Sequence, residues 1–468
     1  MITIKDHTQQ PVSDPWSFLS PKRRRLLDQS WAGLFQREIL TELPVKKFSS
    51  CFTAGFGRPS KELHTVLGVL VLQQMQDLSD EETVIQLAFN IQWHYALHIT
   101  EESDSAKYMC PKTLWTMRYL ATEHEVDAVA FDSITAKLAT VFQVNTDQQR
   151  IDSVQITSNM RRLGRIGLLS NSIHKFLACL KRTQQDLFER IEQRIQDTYL
   201  SQKALGCFSR VKPSESRKRL SELSRDLFEV VQQFRDCLEV TAMPSYQLLE
   251  RVLEEHCTLT GSEDEDSTSV ELKPPKEIPS DSLQNPSDPD ATYSGHKGQG
   301  YQVQVMETYC TDEEVKAETL NLITHVQVEP AHESDANALI PALKSTQERG
   351  LGPKEALADS LYGSDENCQR AEQLGVEIVA PTMGTSRQQE EKLSLSDFGV
   401  SATGDIVACP QGDAPVRTTT KKTRHIAVFD SQHCRQCPHQ STCPVKAGKK
   451  QFYLRYTDKD LRLATRRA

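Results

Sequence analysis

The chain has 468 residues, with 55 Lys+Arg against 64 Asp+Glu, 38% hydrophobic and 7% aromatic residues, and a formal charge of -9. At roughly 100–200 residues per domain, this length holds two to four folding units. The longest apolar run, near Val66–Leu72, is far short of the ~20 residues of a membrane span, and Met1–His7 has no basic-then-apolar leader, so a soluble, cytoplasmic globular protein is expected.

Residues 15–145 read as an all-helical N-terminal domain. After the basic run Lys22–Arg25, the residues Leu26, Leu27, Trp31, Leu34, Phe35 and Ile39 recur at helical spacing, and a second apolar helix covers about Ser60–Met75. Ser79 and Glu82 have capping-box spacing and open a helix through Ile85, Leu87, Phe89 and Trp93. Pro111 starts another, since proline is tolerated in a first helical turn.

Texture changes at Arg150–Ile156, where β-branched and polar residues alternate as in a half-buried strand that carries Asp152. Residues 170–257 follow as a helical insertion. Leu180, Leu187, Ile191 and Ile195 form one stripe and Leu220, Leu223, Leu227, Val231, Phe234 and Leu238 another, which predicts two long helices packed as a hairpin. Residues 258–290 read as an acidic, disordered linker: positions 261–290 hold nine acids against two lysines, a net of -7, and five prolines. Strand texture resumes at Tyr301–Val305 and Leu322–Val328. Ser334 or Asp335 then caps a helix ending at Gly350. Ala356–Ser360 follows as a strand with Asp359 at its end, then a helix over Ser364–Leu374 and a strand over Val376–Ala380. This order predicts a mixed sheet covered by helices, of α+β or α/β class.

Acids at strand ends in such a sheet suggest a hard cation, because carboxylate oxygens suit Mg²⁺. On residue pattern alone, a plain turn cap is the favoured account of both Asp152 and Asp359. The segments Arg150–Asn159, Asp288–Tyr301 and Ala358–Asn367, however, resemble the blocks of bacterial insertion-sequence DDE transposases. Gly57–Ser60 and Asp77–Glu82 are similar to the helical N-terminal domain that many of these enzymes carry. The resemblance implies a ribonuclease H-like core over 148–160 and 291–382, with the first acid on strand one and the second on strand four. It makes Asp152 and Asp359 catalytic ligands of Mg²⁺ (or Mn²⁺), double-stranded DNA (element ends and target) the partner, and a homo-oligomer the complete assembly at the nucleoid. Asp288 and Asp290 fit turn chemistry and receive no catalytic role.

The resemblance also implies a late Glu on a helix after the fifth strand. The last glutamate is Glu391, and it lies with Glu390 in a polar stretch that reads as loop. Glu366, Glu372 and Glu377 fall on the helix after Asp359 or on a strand, which does not match the family's placement. The expectation is a C-terminally truncated transposase that is inactive alone, with 451–468 as the start of the interrupted helix. The alternatives are a non-catalytic, zinc-stabilised DNA-binding inhibitor and a metal-dependent nuclease of the same fold.

Cys409, Cys434, Cys437 and Cys443 lie within a basic module at 405–450. Four thiolates in a reducing compartment are a donor set for structural Zn²⁺, with His433 and His439 as spare ligands. Averaged charge argues against nucleic acid, yet residues 414–468 hold thirteen Lys/Arg against three Asp, a net of +10. The candidate phosphate contacts are Lys421, Lys422, Arg424, Lys449 and Lys450, together with Arg161, Arg162, Arg165 and Lys297.

Overall fold

A computed structural model describes residues 2–7, 14–52, 59–158, 163–200, 213–260, 269–382 and 392–467. The N-terminal region is helical: α1 (Pro21–Asp28), α2 (Trp31–Leu34), α3 (Val45–Ser49), α4 (Leu63–Met75), α5 (Asp80–Phe89), α6 (Ile91–Ala96), α7 (Asp104–Lys107), α8 (Pro111–Glu123) and α9 (Val126–Val141). The centre of this domain is α4, apolar almost all round, with Leu63, Val66, Leu67, Val69 and Leu72 buried. Gly68 lets α6 approach, since a Cβ there would meet Leu97 Cδ2 at 2.3 Å.

Two helices expected to be continuous are broken. The run from Leu26 to Ile39 is interrupted where Ser30 accepts a hydrogen bond from Ala32 N–H at 3.2 Å and caps α2, after which Phe35–Ile39 continues as a π-helical turn. The run from Ser79 to Trp93 is interrupted at Asn90, whose side chain accepts from Gln92 N–H at 2.8 Å and caps α6. The Ser79–Glu82 capping box opens α5 as expected.

β1 (Gln148–Thr157) precedes the insertion, which holds α10 (Arg165–Thr183), α11 (Gln185–Phe188), α12 (Gln193–Leu200), α13 (Ser216–Phe234), α14 (Leu238–Thr241) and α15 (Pro244–His256). The insertion is not a two-helix hairpin. α10 packs against both α13 and α15, and Phe176 meets Phe234 and Tyr246 edge-on in one buried core.

The reading of 258–290 as a disordered linker is corrected over 269–290; residues 261–268 lie outside the described ones. β2 (Cys257–Thr260) pairs antiparallel with β3 (Ser269–Leu272), from Cys257↔Leu272 to Thr260↔Ser269. Leu283 is fully buried in the insertion core, Leu283 N–H donates to Glu255 Oε2 at 2.8 Å, and Arg251 donates to the carbonyls of Asp281 and Pro289. Average hydrophobicity predicts disorder, but one inserted leucine and these hydrogen bonds suffice to order the segment.

The central sheet adds β4 (Thr292–Ser294), β5 (Gly298–Thr308), β6 (Ile323–Pro330), β7 (Glu355–Leu357) and β8 (Glu377–Val379), with α16 (Glu313–Lys316) before β6, α17 (Leu339–Glu348) after it and α18 (Asp365–Gln373) between β7 and β8. Strand order is β4-β5-β1-β7-β8, with β6 also paired to β5. Ser158 N–H to Gln299 O and Tyr309 N–H to Gln148 O set β5 antiparallel to β1, whereas β1 pairs β7, and β7 pairs β8, in parallel. One compact unit comprises Met1–Ile151, Met306–His325 and Leu339–Ala468, and another comprises Asp152–Val305 and Val326–Ala338.

After β8 come β9 (Gly399–Val400), β10 (Ile406–Ala408), β11 (Arg417–Lys421), β12 (Arg424–Phe429), α19 (Ser431–Gln436), β13 (Lys446–Ala447), β14 (Phe452–Thr457) and α20 (Asp458–Arg467). β11-β12-β14-β13 form a four-stranded antiparallel sheet over a core of Phe398, Ile406, Phe429, Phe452, Leu454 and Tyr456. Residues 451–468 therefore do not open a helix directly: Phe452, Leu454 and Tyr456 alternate into this core as a strand, and the helix starts at Asp458.

Candidate functional site

Asp152 lies in β1, exposed, and its Oδ1 accepts from Ser153 N–H at 2.8 Å. Ser153 Oγ in turn receives Lys297 Nζ at 2.8 Å. Lys297 also donates to Gln302 Oε1 and to both oxygens of Asp335, each at 2.9 Å. Gln304 Nε2 reaches Asp335 at 3.1 Å, and Gln302 Nε2 reaches Glu329 at 3.1 Å. An ammonium has three N–H donors, and these partners engage all of them. The reading of Lys297 as a phosphate contact is therefore corrected: its charge is held against buried Asp335. Asp335 does not cap the next helix as expected; the pattern missed the network because its members come from four separate segments.

Asp359 ends the β7 segment, exposed, with Oδ1 accepting from Leu361 N–H at 2.8 Å and Tyr362 N–H at 3.4 Å. This is an Asx turn, stiffened by Tyr362, which is fully buried, and by Gly363, where a Cβ would meet that of Ala380 at 2.5 Å. Among the described residues neither Asp152 nor Asp359 forms an ion pair. In the parallel β1–β7 ladder, Gln148 faces Glu355 and Arg150 faces Leu357. Each acid follows its strand's member of that last pair by two residues.

Beyond Asp359, Ser364 caps α18 through Asn367 N–H, and Asp365 is clamped by Arg462 (2.7 Å) and Arg466 (2.8 Å) of α20. The Arg462 guanidinium, against the opposing effect of burial, holds the Asp365 carboxyl below its ordinary value, with Arg466 adding to it. Glu366 and Glu372 lie on α18 and Glu377 on β8, as expected; Glu390 and Glu391 are outside the described residues.

Cys409, Cys434, Cys437 and Cys443 line one pocket with Asp413, His433 and His439. Burial and the proximity of Cys443, Cys409 and Cys437 push the Cys434 thiol up to about 11; burial likewise raises Cys443. Crowded thiols resist ionising one by one, and a thiophilic cation removes that penalty.

The basic residues divide into two groups. Lys421, Lys422 and Arg424 sit at the β11–β12 turn and Lys449 and Lys450 at the β13–β14 turn, all exposed and without an ion pair among the described residues. Arg165 instead points inward, donating to the carbonyls of His256 (3.2 Å) and Lys273 (2.9 Å), which corrects its reading as a DNA contact. Arg161 and Arg162 lie outside the described residues. Asp288 accepts from Ser158 Oγ at 2.5 Å and from the Tyr301 hydroxyl, a structural role.

No curated protein and no solved structure matches the chain. No helix of the described residues is long and apolar enough to cross a membrane. Residues 26–119, the stretch from α1 to α8, match the family model described as a transposase domain (DUF772), which supports a transposase family for this chain.

Proposed function

We propose that the chain is a DNA-binding transposase of the DDE class with a ribonuclease H-like core, in which Asp152 and Asp359 contribute carboxylate oxygens to Mg²⁺. The observation that carries this reading is the match of residues 26–119 to a transposase domain, and the resemblance of the segments around Asp152 and Asp359 names the two acids. The parallel pairing of β1 with β7, from Gln148↔Glu355 to Arg150↔Leu357, supports it. The donor chemistry fits a hard cation: each carboxylate has one oxygen oriented by backbone N–H groups, and among the described residues neither is ion-paired.

Bound Mg²⁺ would supply Lewis-acid activation of an attacking oxygen and stabilisation of a leaving one. The protein's own contribution is orientation. Leu361 and Tyr362 N–H groups fix Asp359, and Lys297 holds Ser153 beside Asp152. The four cysteines would hold a structural Zn²⁺ that keeps the basic four-stranded sheet in shape, and Lys421, Lys422, Arg424, Lys449 and Lys450 would contact phosphates.

A non-catalytic DNA-binding role is the second reading. It is favoured by one observation, that Lys421, Lys422, Arg424, Lys449 and Lys450 are exposed and without an ion pair among the described residues, which suits phosphate contacts whether or not the chain cuts DNA. Incubating the protein with Mg²⁺ and oligonucleotides bearing the ends of its own element separates the two. Cleavage that disappears in Asp152→Ala and Asp359→Ala supports the catalytic reading. Retained binding without cleavage supports the second, and absence of DNA binding sinks both.

A further inference from the structure

We infer that His7, Glu62 and His64 form a site for a divalent transition metal of the zinc class, which staples the N-terminal segment to the first turn of α4. One ligand atom from each of the three residues lies within 4.8 Å of the others. His64 Nδ1 is 3.1 Å from Glu62 Oε1, and His7 Nε2 is 3.6 Å from Glu62 Oε2. Tetrahedral zinc at 2.0–2.2 Å from its ligands sets neighbouring donor atoms about 3.3 Å apart, between these two separations. The side chains of His7, Glu62 and His64 are only 4%, 11% and 13% exposed.

The orientation of His7 is the decisive detail. Its Nε2 is buried without a hydrogen-bond partner, while its Nδ1 faces His98 Nδ1 at 3.5 Å. In the tautomer that donates Nδ1–H to His98, Nε2 presents its lone pair on the side of the Glu62 carboxylate. A cation held between that lone pair and the carboxylate oxygen satisfies both. An outer hydrogen bond that fixes the tautomer of a ligating histidine is the usual support of such a site.

His98 is itself placed at some cost. It adopts φ +51° at the C-terminus of α6, where His98 N–H bonds to Tyr95 O and Ile99 N–H to His94 O. This Schellman pattern favours glycine at the left-handed position, and a histidine there keeps an imidazole beside His7.

The backbone brings the ligands together without the metal. Thr3 bridges Glu62 in parallel, Thr3 N–H donates to Ser60 Oγ at 2.9 Å, Leu63 N–H to Thr3 O at 3.1 Å, and Lys5 N–H to Glu62 Oε1 at 3.2 Å. The site is thus preformed, and a bound ion would close the loop between His7 and Glu62.

The test uses the full chain, stripped with chelator and titrated with Co²⁺ or Zn²⁺. The expected result is one metal equivalent whose Co²⁺ spectrum lacks thiolate charge-transfer bands, lost in His7→Ala and retained in Cys437→Ser. Zn²⁺ should raise the melting midpoint of the Cys437→Ser protein but not of Cys437→Ser/His7→Ala. Should His7→Ala lower the midpoint of the stripped protein, Glu62→Gln serves instead, since its amide oxygen still accepts from His64 and Thr65 N–H; it too should lose the equivalent. Equal non-thiolate uptake with and without His7, or uptake showing thiolate bands alone, overturns the inference and leaves a proton between His7 and Glu62.

Discussion

Replacing Lys297 by methionine separates the role read from the residue pattern from the role read from the fold. Its ammonium touches both oxygens of Asp335 at 2.9 Å, a gross attraction of about 6 kcal/mol at an effective dielectric of ~20, of which desolvation takes back a large part. Without it, Asp335, only 5% exposed, keeps Gln304 Nε2 as a donor but no balancing charge. Removing one partner of a buried pair costs about 3–5 kcal/mol. Because the Lys297 side chain is 28% exposed, the lower end, about 3 kcal/mol, is expected. For a unit of this size 1 kcal/mol moves the melting midpoint by about 2–4 °C, so calorimetry should record a fall of about 6–12 °C. Lys297→Met/Asp335→Leu should recover more than half of it, because the stranded carboxylate is gone. A midpoint within ~2 °C of the parent, with weakened DNA binding, would refute the reasoning and return Lys297 to the phosphate-binding set.

Burial, with Arg165 and Lys273, pushes His256 down to about 4, so between that value and the ordinary ~6.5 the unfolded chain binds the extra proton and stability rises with pH. The urea midpoint should drop by the equivalent of about 3 kcal/mol on acidification across that window, and His256→Phe should flatten the curve. Asp365→Asn removes the charge that Arg462 and Arg466 clamp; trypsin should then cut α20 at Arg462 and Arg466 faster, at a cost of about 1–3 kcal/mol. Since Asp365 is lowered, its contribution is complete above the ordinary carboxylate value and fades as pH falls through the folded one. Lys421→Ala/Lys422→Ala/Arg424→Ala should reduce the slope of log affinity against log salt by up to ~0.9 for each phosphate no longer neutralised, with unchanged circular dichroism.

Local patterns were legible wherever the deciding partner was a few residues away. The Ser79–Glu82 box needs only the spacing it displays, and Asp359 accepts from N–H groups two and three residues on. The alternation at Tyr301–Val305 likewise declared a strand. Charge fates were not legible, because the partners are distant in sequence: Lys297 finds Asp335 38 residues on, and Arg165 finds carbonyls 91 and 108 residues on. The breaks at Ser30 and Asn90 were hidden because apolar periodicity ran through them, although both are residue types that cap helices. The 269–290 segment failed for a related reason: composition averages over thirty residues, whereas order there depends on Leu283 and on Arg251 reaching over from α15.

Once Lys297 and Arg165 are removed from the candidate DNA face, the described cations that remain belong to two turns of one sheet, and their separation constrains how a duplex can lie. Arg424 faces Thr457 at one end of the β12–β14 ladder, and Phe429 faces Phe452 at the other, beside the turn that carries Lys449 and Lys450. Five strand steps at ~3.4 Å put the two turns about 17 Å apart, the rise of about five nucleotides of one strand. A duplex running along the strands meets both turns, and the salt-slope reductions of the Lys421/Lys422/Arg424 and Lys449/Lys450 alanine variants then add. A duplex crossing the strands meets one turn, and only one variant changes the slope. The additivity of two salt titrations therefore fixes the direction of the DNA on this sheet, a property that the net charge of -9 conceals.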